Sequence, residues 1–141
     1  ARSRNDQVLT AIKLYLKDEL SEISKSSGEL RDAFFEMGKK YSGITLPGYT
    51  HFQVAMPSTF ENWFNAYGES LEDDLELILA ACRICDKNPL GSAAGYGTNF
   101  NIDREFTTKE MGFSKMNVSP VYAQMTRGKA EKVSAMALAS S

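Results

Sequence analysis

Thr50 and His51 stand side by side in the stretch Leu46-Pro47-Gly48-Tyr49-Thr50-His51-Phe52-Gln53-Val54-Ala55-Met56-Pro57, which holds the chain's single histidine. A hydroxyl next to an imidazole can grip an anionic group while a proton moves. Histidine exchanges protons near neutral pH without a large pKa shift. Pro47-Gly48 on one side and Pro57 on the other predict a held loop between helices. Loops on rigid scaffolds are where chemistry concentrates. A structural histidine closing a turn fits the same residues, and the local sequence alone does not separate the two. Cys82 and Cys85 form a CxxC, but no second pair, no nearby histidine and no preceding strand–helix unit gives it a zinc or redox setting. Both fall on an apolar helical stripe, where cysteine acts as a small hydrophobe.

The elements around this loop are helical in pattern. From Asp6 to about Ser24, Val8, Leu9, Ile12, Leu16, Leu20 and Ile23 recur in steps of three and four, opposite Lys13, Lys17, Asp18 and Glu22. Asn5 or Asp6 is suited to cap that helix. Ser26-Ser27-Gly28 marks either a break or a kink, and a second helix runs from there to Tyr41 with Leu30, Phe34 and Met37 inward, ended by Gly43. Beyond the loop, Ser58-Thr59-Phe60-Glu61 has the form of a capping box. Phe60, Phe64, Tyr67, Leu71, Leu75, Ile78, Cys82 and Cys85 then extend one stripe to about Lys87, a spacing suited to a near-parallel bundle. The acidic run Glu69, Glu72, Asp73, Asp74 and Glu76 falls mostly away from the stripe and reads as a solvated face.

Helix periodicity stops at Asn88-Pro89-Leu90-Gly91-Ser92-Ala93-Ala94-Gly95-Tyr96-Gly97-Thr98-Asn99-Phe100. No Gly-Lys-Ser/Thr follows and no strand precedes it, so neither phosphate-binding fingerprint is present. A tight loop packed against helix ends is the reading. Asp103 caps a short helix to Glu110, stopped by Gly112, and Ser119-Pro120 opens a last helix that runs to the end of the chain. No strand alternation and no internal repeat is visible. The fold class is therefore all-α, a single domain of long helices in a bundle.

Size and composition agree: 141 residues, 43% hydrophobic and 24% charged, are those of one ordinary globular domain. A net charge of -2 offers nothing to nucleic acid or to an anionic membrane. No apolar run reaches the length of a membrane span or a signal peptide, which makes the cytoplasm the expected compartment. The abrupt polar start and the helical pattern at the end suggest a piece of a longer protein.

Three stretches carry a family resemblance: Arg2-Ser3-Arg4-Asn5-Asp6-Gln7-Val8, then Pro47-Gly48-Tyr49-Thr50-His51-Phe52-Gln53, then Asn88-Pro89-Leu90-Gly91 leading to Ile102-Asp103-Arg104-Glu105. In this order they closely resemble the argininosuccinate lyases of the fumarase/aspartase superfamily, over essentially the whole chain but only the central part of the family's polypeptide. The resemblance implies reversible cleavage of argininosuccinate to arginine and fumarate, in arginine biosynthesis, with no metal or organic cofactor. It matches Ser3, Arg4, Asn5 and Thr50 to substrate-binding positions and His51 to the active-site histidine, acid or base. It also implies a homotetramer whose sites draw on several subunits, so that Asn5 and His51 of one molecule serve different sites.

Three features depart from the family pattern. The family's catalytic serine loop, Gly-Ser-Ser-x-Met-Pro-x-Lys, does not occur in these 141 residues, so the chain alone is expected to be inactive. The acidic partner of the histidine has no match. Gly128 follows Arg127 where the family often has Asp. Competing readings are an adenylosuccinate-type lyase, against which the Arg-Ser-Arg-Asn-Asp-Gln run argues, and a non-catalytic, crystallin-like or purely oligomerising helix bundle.

Overall fold

A computed structural model describes residues 4–141. The elements are α1 (Asn5–Lys40), β1 (Thr45–Thr50), β2 (Gln53–Thr59), α2 (Phe60–Cys85), β3 (Lys87–Asn88), α3 (Arg104–Glu110), β4 (Lys115–Met116), α4 (Pro120–Met125), a 3-10 turn (Arg127–Lys129) and α5 (Ala130–Ser140). Helices carry the fold, as their periodicity predicts. The contacts group the described residues into two compact units: residues 4–22 with Leu77–Ser140, and Ile23–Glu76.

The two helices expected before the loop are one. Gly28 costs a helix about 1 kcal/mol relative to alanine, too little to break a helix of 36 residues that is anchored on either side of it by burial at Leu20 and Gly38. In the Ile23–Glu76 unit, α1 meets α2 through aromatic rings. Phe34 of α1 lies 5.6 Å from Tyr67 and 6.2 Å from Phe64, and within α2 Trp63 meets Tyr67 edge-on at 4.9 Å. Two glycines permit this approach: a Cβ at Gly68 would lie 2.5 Å from Phe35 Cε1, and one at Gly38 would lie 2.7 Å from Asn65 Oδ1. Leu30 and Met37, expected inward, are exposed, because α2 covers the Phe34–Gly38 side of the helix instead.

Gly68→Ala should therefore lower stability by about 1–3 kcal/mol through overpacking against the Phe35 ring. Gly28→Ala, which meets nothing, should raise it by up to about 1 kcal/mol. Urea midpoints at unchanged slope would read both effects. Equal shifts at the two positions would contradict this packing.

The expected loop is a β-hairpin. Its strands pair antiparallel from Thr45↔Thr59 to Thr50↔Gln53, with a bulge at Gly48/Tyr49 and a two-residue turn of His51 and Phe52. Pro47 faces Pro57 across the ladder. In a two-stranded sheet both strands are edges, so a missing N–H is tolerated. Alternation is invisible in the sequence because the strands have no buried face: Tyr49, Val54 and Met56 are exposed and Phe52 fully so. The start of α2 also shifts by one residue from the expected box. Thr59 is the cap, its hydroxyl accepting from Asn62 N–H at 3.1 Å, while the Asn62 amide donates to Ser58 Oγ.

In the other unit, Leu9, Leu20, Ile78, Ala81 and Cys85 form the core with Phe113, Ala123, Ala130 and Ala137. Cys85 is fully buried, its sulfur 3.5 Å from Ser134 Oγ, so its place on the apolar stripe holds. Asp103 and Ser119 cap α3 and α4 as predicted. The last helix does not continue from Ser119: residues 127–129 take φ of 50, 60 and 58 and break it.

Candidate functional site

Lys13 and Lys17 read as solvent-facing in the sequence. Lys13 is in fact completely buried, its ammonium donating to the Lys87 carbonyl at 2.8 Å and to Asn117 Oδ1 at 3.0 Å. Lys17 is half-buried, 2.7 Å from Asp86 Oδ1. The helical wheel fails here because Lys87 of β3 and Asn117, next after β4, supply polar acceptors for Lys13, while Asp86 and Gly112 supply them for Lys17. Burial pushes the Asp86 carboxyl up, but hydrogen bonds from Lys17 and Ser114 outweigh it and hold the carboxyl below its usual range.

Burial lowers the Lys13 pKa from 10.5 to about 8. Below pH 8 both folded and unfolded chains carry this charge, and the cost of burying it is fully present. Between about 8 and 10.5 the unfolded chain binds more protons, so the contribution of Lys13 to stability rises with pH. At about 1.4 kcal/mol per pH unit, the wild type should gain on the order of 3 kcal/mol over Lys13→Met across that window. Urea unfolding at a series of pH values measures the difference, and a difference independent of pH would contradict it.

The start of α1 is tied to the glycine loop. Asp6 does not cap its own helix. Its Oδ2 instead accepts from the N–H groups of Gly91 and Ala93, each at 3.0 Å, and so holds Ala93 at a φ of 51. Arg104 clamps the same loop, donating from Nε to the Leu90 carbonyl at 2.9 Å and from Nη2 to the Asn117 carbonyl at 2.7 Å. Asn88, fully buried, donates to the Thr107 and Thr108 hydroxyls and accepts from Leu90 N–H. Ser92 joins the loop to α4 by accepting from the Gln124 amide at 2.9 Å.

These ties shape an open cleft of about 420 Å³ lined by Asn5, Gly95, Tyr96, Gln124 and Arg127, among others. The Arg127 guanidinium is forked onto Glu131, with Nε 3.0 Å from both carboxylate oxygens and Nη2 2.8 Å from Oε1. A guanidinium has five N–H donors, so the side turned from Glu131 can still recognise an anion. The cleft lining thus includes side-chain amides, a phenol and a guanidinium, groups whose chemistry suits them to hydrogen-bond an anion. Arg127, Tyr96 and Gln124 are the cleft residues that sequence reasoning did not place. The one sequence sign of them was the departure at Arg127-Gly128.

Of the residues singled out in the sequence, Ser3 lies outside the described residues. Arg4 is exposed and accepts from Val8 N–H through its carbonyl at 2.8 Å, and Asn5 lines the cleft as the first residue of α1. Thr50 and His51 belong to the other unit, exposed at the hairpin turn. Both turn residues have positive φ, 52 for His51 and 62 for Phe52. Histidine is among the residues enriched in that region, whereas a bulky residue such as Phe52 is an outlier there. Among the described residues, no cluster of three or more His, Cys, Asp or Glu side chains is placed to hold a metal ion, and no helix is long and apolar enough to cross a membrane.

The chain belongs to the lyase family, whose model matches residues 1–139. It is 51% identical over 139 residues to an argininosuccinate lyase of Phocaeicola vulgatus and 51% identical over 138 residues to one of Parabacteroides distasonis. These matches cover 99% and 98% of this chain but only 31% of each relative. The chain thus spans about a third of the length of the relatives it matches. Its fold is that of a solved EDDS lyase variant with bound fumarate, with a TM-score of 0.90 at 24% identity, covering 96% of this chain and 27% of the other.

Proposed function

We propose that this chain is part of an argininosuccinate lyase that cleaves argininosuccinate reversibly to arginine and fumarate, without metal or organic cofactor. What carries the reading is the 51% identity to argininosuccinate lyases over nearly the whole chain, together with the cleft at Asn5. A base removes the proton from the carbon beside a succinyl carboxylate, and the electron pair moves into that carboxylate. The pair then returns to form the double bond of fumarate as the carbon–nitrogen bond breaks, and the leaving guanidino nitrogen takes up a proton. Negative charge builds on the carboxylate midway, so donors aimed at it lower the barrier. Ser3, Arg4 and Asn5 bind substrate, with Arg127 lining the same cleft as Asn5. Thr50 binds a substrate carboxylate at the hairpin turn and His51 transfers or tunes the transfer of a proton.

Asn5 and His51 of one molecule serve different sites in a homotetramer. The hairpin supports this part of the reading. A two-stranded sheet is at best marginal alone in water, and its exposed Tyr49, Phe52, Val54 and Met56 need cover, which another copy would provide. The cytoplasm is the compartment this metabolic role implies. The serine loop of the family is not among these 141 residues, so the chain by itself should release no fumarate.

The test is fumarate absorbance on incubating the intact protein with argininosuccinate and, separately, with adenylosuccinate. Release from argininosuccinate alone supports the proposal. Release from adenylosuccinate alone, or from neither, would overturn it.

A further inference from the structure

We infer that Lys13 is a positioning residue for Arg127: its buried ammonium, seated against Gly128, holds the left-handed turn that carries Arg127 to the cleft beside Asn5. This rests on the reading of that cleft as a carboxylate site. Three consecutive residues, Arg127, Gly128 and Lys129, take φ of 50, 60 and 58, and two of them carry side chains. Such a run persists only where its surroundings over-determine it. Here they do. Gly128 is buried, and a Cβ on it would lie 2.7 Å from Lys13 Nζ and 3.1 Å from Lys13 Cε. The lysine thus occupies the space that only a glycine leaves, and the turn closes over it with Lys129 N–H donating to the Thr126 carbonyl at 2.8 Å.

The ammonium is fixed from the other side by the Lys87 carbonyl of β3 and by Asn117, whose backbone N–H in turn donates to the Asn88 carbonyl at 2.8 Å. Lys13 therefore joins α1, the β3–β4 pair and the turn in one polar knot. Both acceptors of the ammonium are neutral. A long apolar side chain would fill the same space but would donate to neither acceptor, leaving the turn without its fixed wall. Arg127 opens the turn, and its guanidinium is aimed by two constraints, the backbone set at Gly128 and the fork to Glu131. Loss of the first leaves the second on a moving base.

A double-mutant cycle in the intact protein tests this, with fumarate as the probe. Lys13→Met and Gly128→Ala should each weaken fumarate binding about tenfold and move the Arg127 Nε–H resonance toward that of a free arginine. In an Arg127→Met background, Lys13→Met should then weaken binding no further. An equal loss with or without Arg127, or an unmoved Arg127 resonance in Lys13→Met, would overturn the inference. If Lys13→Met does not fold, the Gly128→Ala arm decides by the same two readouts. If the wild type binds no fumarate, the carboxylate reading of the cleft fails, and the Arg127 resonance still decides whether Lys13 positions that side chain.

Discussion

Replacing His51 by asparagine in the intact enzyme is expected to lower kcat by about 10²- to 10⁴-fold, the range of one general acid or base, with KM little changed. Asparagine is the informative substitute because it tolerates the left-handed conformation that His51 adopts at the hairpin turn. Fold and register then survive, and the lost function is proton exchange alone. Alanine at this position would add a backbone cost of roughly 1–2 kcal/mol and blur the result. Thr50→Ala should act differently, raising KM more than it lowers kcat, because the role proposed for its hydroxyl is to bind substrate and not to move a proton. Steady-state kinetics on the two variants separate these roles. A His51→Asn enzyme with wild-type turnover would remove the imidazole from the chemistry.

Asp6→Ala should have the largest effect on stability. The Asp6 carboxylate accepts two backbone N–H groups of the glycine loop, and a hydrogen bond to a charged group contributes about 1.5–3 kcal/mol. Removing both should cost on the order of 3 kcal/mol and release Ala93 from its positive φ. The loss reaches function through geometry. Ala94, Gly95 and Tyr96, on the same loop, line the cleft beside Asn5, so substrate KM should rise as well. Asp6→Asn keeps one acceptor oxygen and should fall between the two. Denaturant midpoints and KM measured on the same three proteins check the coupling. A fall in stability with unchanged KM would separate the loop from the cleft.

Most of the helical scaffold was legible because its signals are local. Asp103 and Ser119 cap the helices that they precede, and the stripe from Leu75 through Ile78 to Cys85 is buried as spaced. What escaped was set at a distance in the chain. Lys13 looks solvated on a helical wheel, and only Lys87 and Asn117, 74 and 104 residues away, explain its burial. Asp6 looks like a cap and is a tie to Gly91 and Ala93. The hairpin has no alternation to read because neither of its faces is covered in the chain itself, and its His51-Phe52 turn lacks the Asn-Gly signal of such turns.

The candidate residues divided in the same way. Thr50, His51 and Asn5 stood out by residue type and motif. Arg127 could be placed only once the left-handed turn had brought it to the cleft. Gly128, a departure from the family pattern in sequence, is the residue that leaves room for the Lys13 ammonium.

Mixing two impaired proteins tests the central claim most directly. Asn5→Ala and His51→Asn variants of the intact enzyme, each expected to be strongly impaired alone, are denatured together and refolded as mixed assemblies. If each site joins Asn5 of one subunit to His51 of another, about one site in four of a random mixture holds both native residues, and fumarate release should return to that extent. Mixed assemblies that stay as impaired as either parent would contradict the account.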